Sequence, residues 1–292
     1  MAFNRLIRFV GEDAQVHYGD ADISSVQELN THLEKGTLQA RELLGDSISR
    51  LVPSGRILRV KELLSPLEQA NVPIIRCIGL NYMKHIKEGG RKPPPYPSIF
   101  IKPSPSLNTH TAPVYVPKFA IEAGPQIDYE GELCIVIGKA GKNISKERAL
   151  EHIAGYCVSN DVSERRWQRD PAYAGGVPQW GFAKGFDGWC PVGPMIVSPA
   201  VVGKADALRL TTRVNGELRQ DTETSDLLFN VVDIVAFASQ GTTLQEGSLI
   251  LTGTPSGVAM GMQTPVYLSD GDVVDVEISE LGRCSNKIVF EA

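Results

Sequence analysis

The sequence predicts an α+β chain dominated by strands, a mixed β-roll or sandwich carrying a small N-terminal domain. Three observations lead there. From Pro73 onward, short β-branched runs alternate with turns rich in Gly and Pro. The tail alternates with a period of two, as Asp272-Val273-Val274-Asp275-Val276-Glu277-Ile278 and Lys287-Ile288-Val289-Phe290. Long helical patterns are few.

In chain order, residues 1–70 read as an accessory domain, with strand-like pieces at Leu6–Val10 and Ala14–Tyr18 and a helical stretch around Leu38–Leu51. Composition shifts near Leu64-Ser65-Pro66, and the main domain, residues 71–292, follows. Asn81 to Gly90 reads as a short helix ended by glycines and followed by the proline loop Arg91–Pro97, a segment suited to closing over a site. Leu133–Ile137 and Gly155–Asp161 are strands, and Ser145 precedes a helix through His152. Asn215-Gly216 between two strand-like runs is a two-residue hairpin. Asn230 caps a helix from Val231 to Gln240 that stops at Gly241, with Asp233 suiting its N-terminal dipole.

At 292 residues and 42% hydrophobic the chain can bury a large core, and its net charge of −5 comes from interleaved acids and bases. No basic block points to nucleic acid or to an anionic membrane, and no stretch reaches membrane-span length. Small molecules or protein partners are expected. The five cysteines, Cys77, Cys134, Cys157, Cys190 and Cys284, are scattered singly and read as buried thiols of a reducing compartment. The cytoplasm is the expected location, with mitochondrial import left open.

The chemistry concentrates in a few segments. Glu130 and Glu132 flank Gly131 at the leading end of a strand, where residues two apart point to one face. Two converging anions call for a cation, and Asp161 at the end of the second strand would complete an all-oxygen set selecting Mg²⁺, Mn²⁺ or Ca²⁺. The competing reading is a solvated acidic pair. His85 and Glu88, three apart, would share a helix face and form a general base with its orienting carboxylate, against a surface helix facing water. Asp161, Arg165 and Gln168 would share a face if their segment is helical. Arg165 could then grip a substrate carboxylate, or simply pair with Asp161. Lys184, a lone cation among apolar and glycine residues, would have its pKa lowered if buried and could stabilise an oxyanion or move a proton; the alternative is a lysine reaching out from a β edge. The loop around Thr254 offers hydroxyls and N–H groups to a carboxylate or keto oxygen. The Gly-x-Ser-x-Gly elbow, a phosphate-binding glycine loop and a dinucleotide fingerprint are all missing from the sequence.

Taken in order, Gly79-Leu80-Asn81-Tyr82 with His85 and Glu88, Glu130-x-Glu132-Leu133, Asn160-Asp161-Val162-Ser163, Lys184-Gly185-Phe186-Asp187, Val214-Asn215-Gly216-Glu217 and Leu251-Thr252-Gly253-Thr254-Pro255-x-Gly257 resemble the fumarylacetoacetate hydrolase family. The resemblance runs from about Pro73 to Phe290 and is strongest to the subgroup of fumarylacetoacetate hydrolase domain-containing protein 2. It implies that Glu130, Glu132 and Asp161 hold Mg²⁺, or Mn²⁺ or Ca²⁺ in some members. It further implies that His85 with Glu88 handles a water or proton from a lid, that Lys184 stabilises negative charge, and that Arg165, Gln168 and Thr254 contact substrate. The implied protein is commonly a homodimer acting on a small β-keto or 2,4-diketo acid through a metal-stabilised enolate. Oxaloacetate keto–enol tautomerisation is the leading expectation, with decarboxylation or C–C hydrolysis of an acylpyruvate as alternatives. A non-catalytic binding protein is the alternative of another class. Two departures bear on substrate: Arg166 is basic where relatives are often acidic, and Arg169–Gly176 is inserted before Gln179-Trp180.

Overall fold

A computed structural model describes residues 2–88, 90 and 92–292, apart from the side chain of Glu88. Gly89 and Arg91 of the expected lid, and the Glu88 carboxylate, therefore lie outside the described residues.

The N-terminal region holds β1 (Arg5–Gly11), β2 (Val16–Ala21), α1 (Val26–Lys35), β3 (Gln39–Leu44) and β4 (Val52–Leu63). β1 pairs with both β2 and β4, and β3 lies between β2 and β4, so the four strands close into a ring. The expected helix around Leu38–Leu51 is not there. Gln39–Leu44 is a strand despite its helix-favouring Leu, Arg and Glu, because pairing on both edges satisfies its backbone and buries Ala40 and Leu43, which outweighs a few tenths of a kcal/mol of propensity. The helix sits earlier, where Ser25 accepts a hydrogen bond from the Glu28 amide at 3.2 Å and Gly36 closes the end at φ +60°.

The rest builds on β5 (Ile75–Gly79), α2 (Met83–Glu88), β6 (Ser98–Lys102), β7 (Gly131–Ile137), β8 (Ile153–Asn160), α3 (Arg165–Arg169), α4 (Trp180–Lys184), β9 (Cys190–Val197), β10 (Arg209–Val214), β11 (Glu217–Glu223), α5 (Val231–Ala238), β12 (Leu249–Leu251), β13 (Val273–Ile278) and β14 (Gly282–Phe290). One large mixed sheet runs β2-β3-β4-β1-β9-β8-β7-β12-β5-β6, so β1 joins the N-terminal ring to the main sheet through β9. A second sheet, β11-β10-β13-β14, ends on the short strand Val114–Val116.

β7 shows how the core is divided. Leu133, Ile135 and Ile137 pack with the second sheet's Leu210, Val276 and Cys284, whereas Cys134 and Val136 point to the other face, among Leu6, Ile75 and Leu249. Both faces are covered, which is why its sequence is a continuous apolar run rather than an alternating one. The hairpin at Asn215-Gly216 has both residues at positive φ, 50° and 83°, as its two-residue turn requires. α5 is held by a capping box in which Asn230 accepts from the Val232 and Asp233 amides. The segment after Ser145 is helical over Lys146–His152, but in the tighter 3₁₀ form. All five cysteines are buried and unpaired.

Candidate active site

The site forms where β7 begins and β8 ends. These strands are antiparallel, with Gly131 opposite Asn160, so the start of one lies beside the finish of the other. Asp161 donates its amide to the Glu130 carbonyl at 2.9 Å, and Glu130 donates its own amide to the Asn160 side chain at 2.9 Å. Glu130, Glu132 and Asp161 each offer an oxygen within 4.8 Å of the other two, and all three are buried. Gly131 is required between them: a Cβ there would strike the Thr212 hydroxyl and Val276 of the facing sheet.

Three buried cations surround the carboxylates. Lys184 Nζ donates to Asp161 Oδ2 at 2.6 Å, to Glu130 Oε2 at 2.9 Å and to Ser163 Oγ at 2.6 Å. Lys102, at the end of β6, donates to Asp161 Oδ1 at 2.6 Å and to the Trp189 carbonyl at 2.8 Å. Arg165 reaches Glu130 Oε1 at 2.6 Å, Asp128 Oδ2 at 2.8 Å and Gln168 Oε1 at 3.1 Å. Asp128 also accepts from the Ala259 and Met260 amides, so it ties the arginine to the loop after Thr254.

This arrangement drives the two glutamates apart. Burial works to raise Glu130, but Lys184 and Arg165 overcome it and hold its carboxyl well below the usual range. Glu132 is pushed well above that range, by burial first and then by Asp161 and Glu130, while its hydrogen bond from the Gly253 amide at 2.6 Å offsets only part. A buried carboxylate with two anions beside it and a single amide donor is a group that a divalent cation would complete. The donor set is all oxygen, so the residues fit a hard divalent ion.

The expected residues converge, with corrections. Glu130, Arg165, Gln168, Lys184, Thr254 and His85 all line one cavity of about 170 Å³. Burial alone would lower Lys184, but Asp161 and Glu130 outweigh it and its pKa is raised. Asp161 and Arg165 neither share a continuous helix nor pair: Ser163-Glu164 forms a short strand between them, and the arginine turns to Asp128 and Glu130. α3 begins only after Glu164, whose carboxylate caps it by accepting the Trp167 amide at 2.6 Å. Thr254 is set by Gln220, which donates to its hydroxyl at 2.8 Å, while that hydroxyl donates to the Gly131 carbonyl at 3.1 Å. His85 enters from α2, whose base is fixed by Asn81: its amide donates to the Thr252 and Phe229 carbonyls at 2.8 and 3.0 Å. Arg166 points away, donating to the Gly124 carbonyl at 2.9 Å and lying over Tyr173.

Lys102, Asp128, Ser163, Gln220, Trp180 and Met260 escaped the sequence reading. Asp128 carried a signal, since 128, 130 and 132 continue the same alternation. Lys102 carried another, a lone lysine closing the apolar run Ile99-Phe100-Ile101, the same pattern that marked Lys184.

A strand-dominated roll with a buried three-carboxylate cluster beneath a cation-lined cavity is an architecture suited to holding a divalent metal ion. The sequence model of the fumarylacetoacetate (FAA) hydrolase C-terminal family matches residues 74–289, and the chain belongs to that family of enzymes. It is 41% identical over 227 residues to oxaloacetate tautomerase fahd2 of Xenopus laevis, covering 78% of this chain and 68% of the relative. Oxaloacetate tautomerase YisK of Bacillus subtilis is 39% identical over 229 residues, covering 78% of this chain and 73% of the relative. The caffeoylpyruvate hydrolase of Neonothopanus nambi is 37% identical over 296 residues, covering 99% and 94%. Among solved structures, the 2-hydroxyhepta-2,4-diene-1,7-dioate isomerase of Mycobacterium marinum superposes with a TM-score of 0.79 at 33% identity and 99% coverage of both chains. No helix among the described residues is long and apolar enough to cross a membrane.

Proposed function

We propose that this protein is a Mg²⁺-dependent oxaloacetate keto–enol tautomerase, with Mn²⁺ or Ca²⁺ as other ions the site would accept. The observation that carries the reading is the buried Glu130–Glu132–Asp161 cluster in a chain about 40% identical to two oxaloacetate tautomerases. Glu130, Glu132 and Asp161 would hold the ion, which when bound supplies Lewis-acid compensation for the charge that develops on a keto oxygen. Lys184 places a buried ammonium beside Glu130 and Asp161, where negative charge on substrate would gather. Arg165 and Gln168 contact substrate from α3, and Thr254 does so from the facing loop. His85, on the cavity wall, takes or returns the proton at the substrate carbon. Residues 71–292 form the catalytic unit in this reading, and residues 1–70 an accessory one that supplies none of the described cavity lining. We assign a homodimer as the assembly and the cytoplasm as its place.

The test is a substrate panel of oxaloacetate, acylpyruvates and diketones with Mg²⁺, Mn²⁺ or chelator, following enol absorbance and product identity separately. Tautomerisation that chelator abolishes and Mg²⁺ restores is expected, as is its loss in Glu132→Ala. Turnover indifferent to chelator would end the metal reading. C–C hydrolysis is the second reading, favoured by the caffeoylpyruvate hydrolase's match along nearly the whole chain. It requires His85 to activate water, so His85→Ala would stop cleavage and leave metal affinity nearly intact.

A further inference from the structure

We infer that Ser163 is a positioning residue for Lys184, the pivot on which the ammonium turns one of its protons toward substrate. The inference rests on the charge-stabilising role proposed for Lys184 and adds the side chain through which that role is set. Lys184 Nζ carries three protons and spends all of them on protein oxygens: Asp161 Oδ2 and Ser163 Oγ at 2.6 Å, and Glu130 Oε2 at 2.9 Å. None is left over for a ligand. A substrate oxygen is therefore contacted only when one of the three acceptors is given up, and position and chemistry together say which.

Glu130 lines the cavity beside Lys184 and makes the longest of the three bonds, whereas Ser163 is fully buried behind the cavity wall. Glu130 and Asp161 are also the carboxylates that would share their lone pairs with a divalent ion, which loosens their hold on the ammonium. Ser163 belongs to no such set, so its hold is the same with the ion or without it. The hydroxyl is fixed as an acceptor, because its own proton goes to the Asp161 carbonyl at 2.9 Å and only lone pairs face Lys184. Its backbone is fixed too: Ser163 pairs with Asp128 in the short ladder of Ile127-Asp128 with Ser163-Glu164, and Asp128 is the acceptor that anchors Arg165. One two-residue ladder thus sets both cavity cations relative to each other. Lys102 supplies the contrast, since its acceptors are Asp161 Oδ1 and the Trp189 and Val162 carbonyls, none of them a group on the cavity. Lys184 exchanges Glu130 for substrate while Ser163 keeps it in place.

The experiment uses the full chain as wild type, Ser163→Ala, Ser163→Thr, Lys184→Met and the double variant Ser163→Ala with Lys184→Met. With Mg²⁺ loaded, kcat and KM are measured for oxaloacetate, and binding of oxalate, a small planar dianion that resembles the enolate, is followed by tryptophan fluorescence. Mg²⁺ affinity is measured by calorimetry. In Ser163→Ala, kcat should fall about tenfold or more while KM stays within about threefold, because the charge that Lys184 meets develops on the way to the enolate. Oxalate affinity should fall about fivefold, Mg²⁺ affinity should stay within about threefold, and Ser163→Thr, which keeps the hydroxyl, should recover most of the loss. In the Lys184→Met background, Ser163→Ala should change oxalate affinity by less than about twofold, since a residue acting through Lys184 has nothing left to act on. A kcat for Ser163→Ala equal to wild type, or an oxalate effect that persists without Lys184, would overturn the assignment. So would a Mg²⁺ affinity that falls in step with kcat, which would place the influence of Ser163 on Asp161 instead. Wild-type protein that never turns over oxaloacetate would reject the tautomerase reading, and the oxalate measurements with and without Lys184 would still decide Ser163.

Discussion

Two of the places where the chain buries carboxylates are built in opposite ways. In the N-terminal ring Glu42 is satisfied by its own neighbours: Arg56 donates to it through Nε at 2.7 Å, and a His17 ring nitrogen lies within hydrogen-bond distance at 2.9 Å. Arg56 stays exposed, so half of the pair is solvated. At the start of β7 the carboxylates outnumber their cations and all are buried. The result is opposite shifts: Arg56 foremost pulls Glu42 from 4.5 to about 2, whereas burial and two neighbouring anions push Glu132 up. An acid satisfied by its own chain is a structural pair. An acid left raised in the company of others is an incomplete site, and that is the physical mark by which the two differ.

The contrast breaks most directly at Lys102. Lys102 and Asp161 are both fully buried, so Lys102→Met strips Asp161 Oδ1 of its donor and leaves Lys184, on Oδ2, as the one ammonium against that carboxylate, at about 3–5 kcal/mol. Thermal melts should fall by on the order of 10 °C in chelator, and Mg²⁺ should recover part of the loss because the ion now offsets more unbalanced charge. A melt unchanged in chelator would mean that the carboxylates are protonated there and that the proposed charge imbalance does not exist.

A smaller effect tests how rigid the catalytic side is. A Cβ at Gly79 would overlap the six-membered ring of Trp180, which also packs edge-on to Phe100 with centroids 5.2 Å apart. Gly79→Ala should cost about 1–3 kcal/mol of stability through overpacking. Because the ring must leave the cavity wall, KM for an aryl-tailed acylpyruvate should change more than KM for oxaloacetate. Equal KM changes would show that Trp180 plays no part in reading the tail.

How much of this was legible in the sequence follows from the range of each interaction. Glu130 and Glu132 were readable because a strand's period of two is local, and Asp161 because the following apolar run ended on it. The Asn215-Gly216 turn and the Asn230 cap are local too. Gln39–Leu44 was not readable as a strand, since its conformation is decided by pairing with β2 and β4 rather than by its own propensities. The Arg165 partner was missed for a similar reason: the i, i+4 spacing suggested Asp161, but the Ser163-Glu164 strand intervenes and Asp128 comes in from across the fold.

The smallest effect belongs to Glu42, and its sign can be worked out. Its pKa in the folded chain is depressed, so its pairing stabilises fully above about pH 4.5 and is lost as pH falls from there toward 2. Glu42→Gln removes that ionisation while keeping a side-chain oxygen for Arg56. Stability near neutral pH should then drop slightly, and the acid limb of the unfolding curve should flatten between pH 4.5 and 2. Because Arg56 is exposed and screened, the shift of the acid midpoint should stay under about half a pH unit. Circular dichroism through an acid titration, with chelator present to keep the carboxylate cluster in one state, measures it. A loss as large as that of Lys102→Met would show that Glu42 behaves as a buried charge, and the distinction between the solvated pair and the buried cluster would have to be given up.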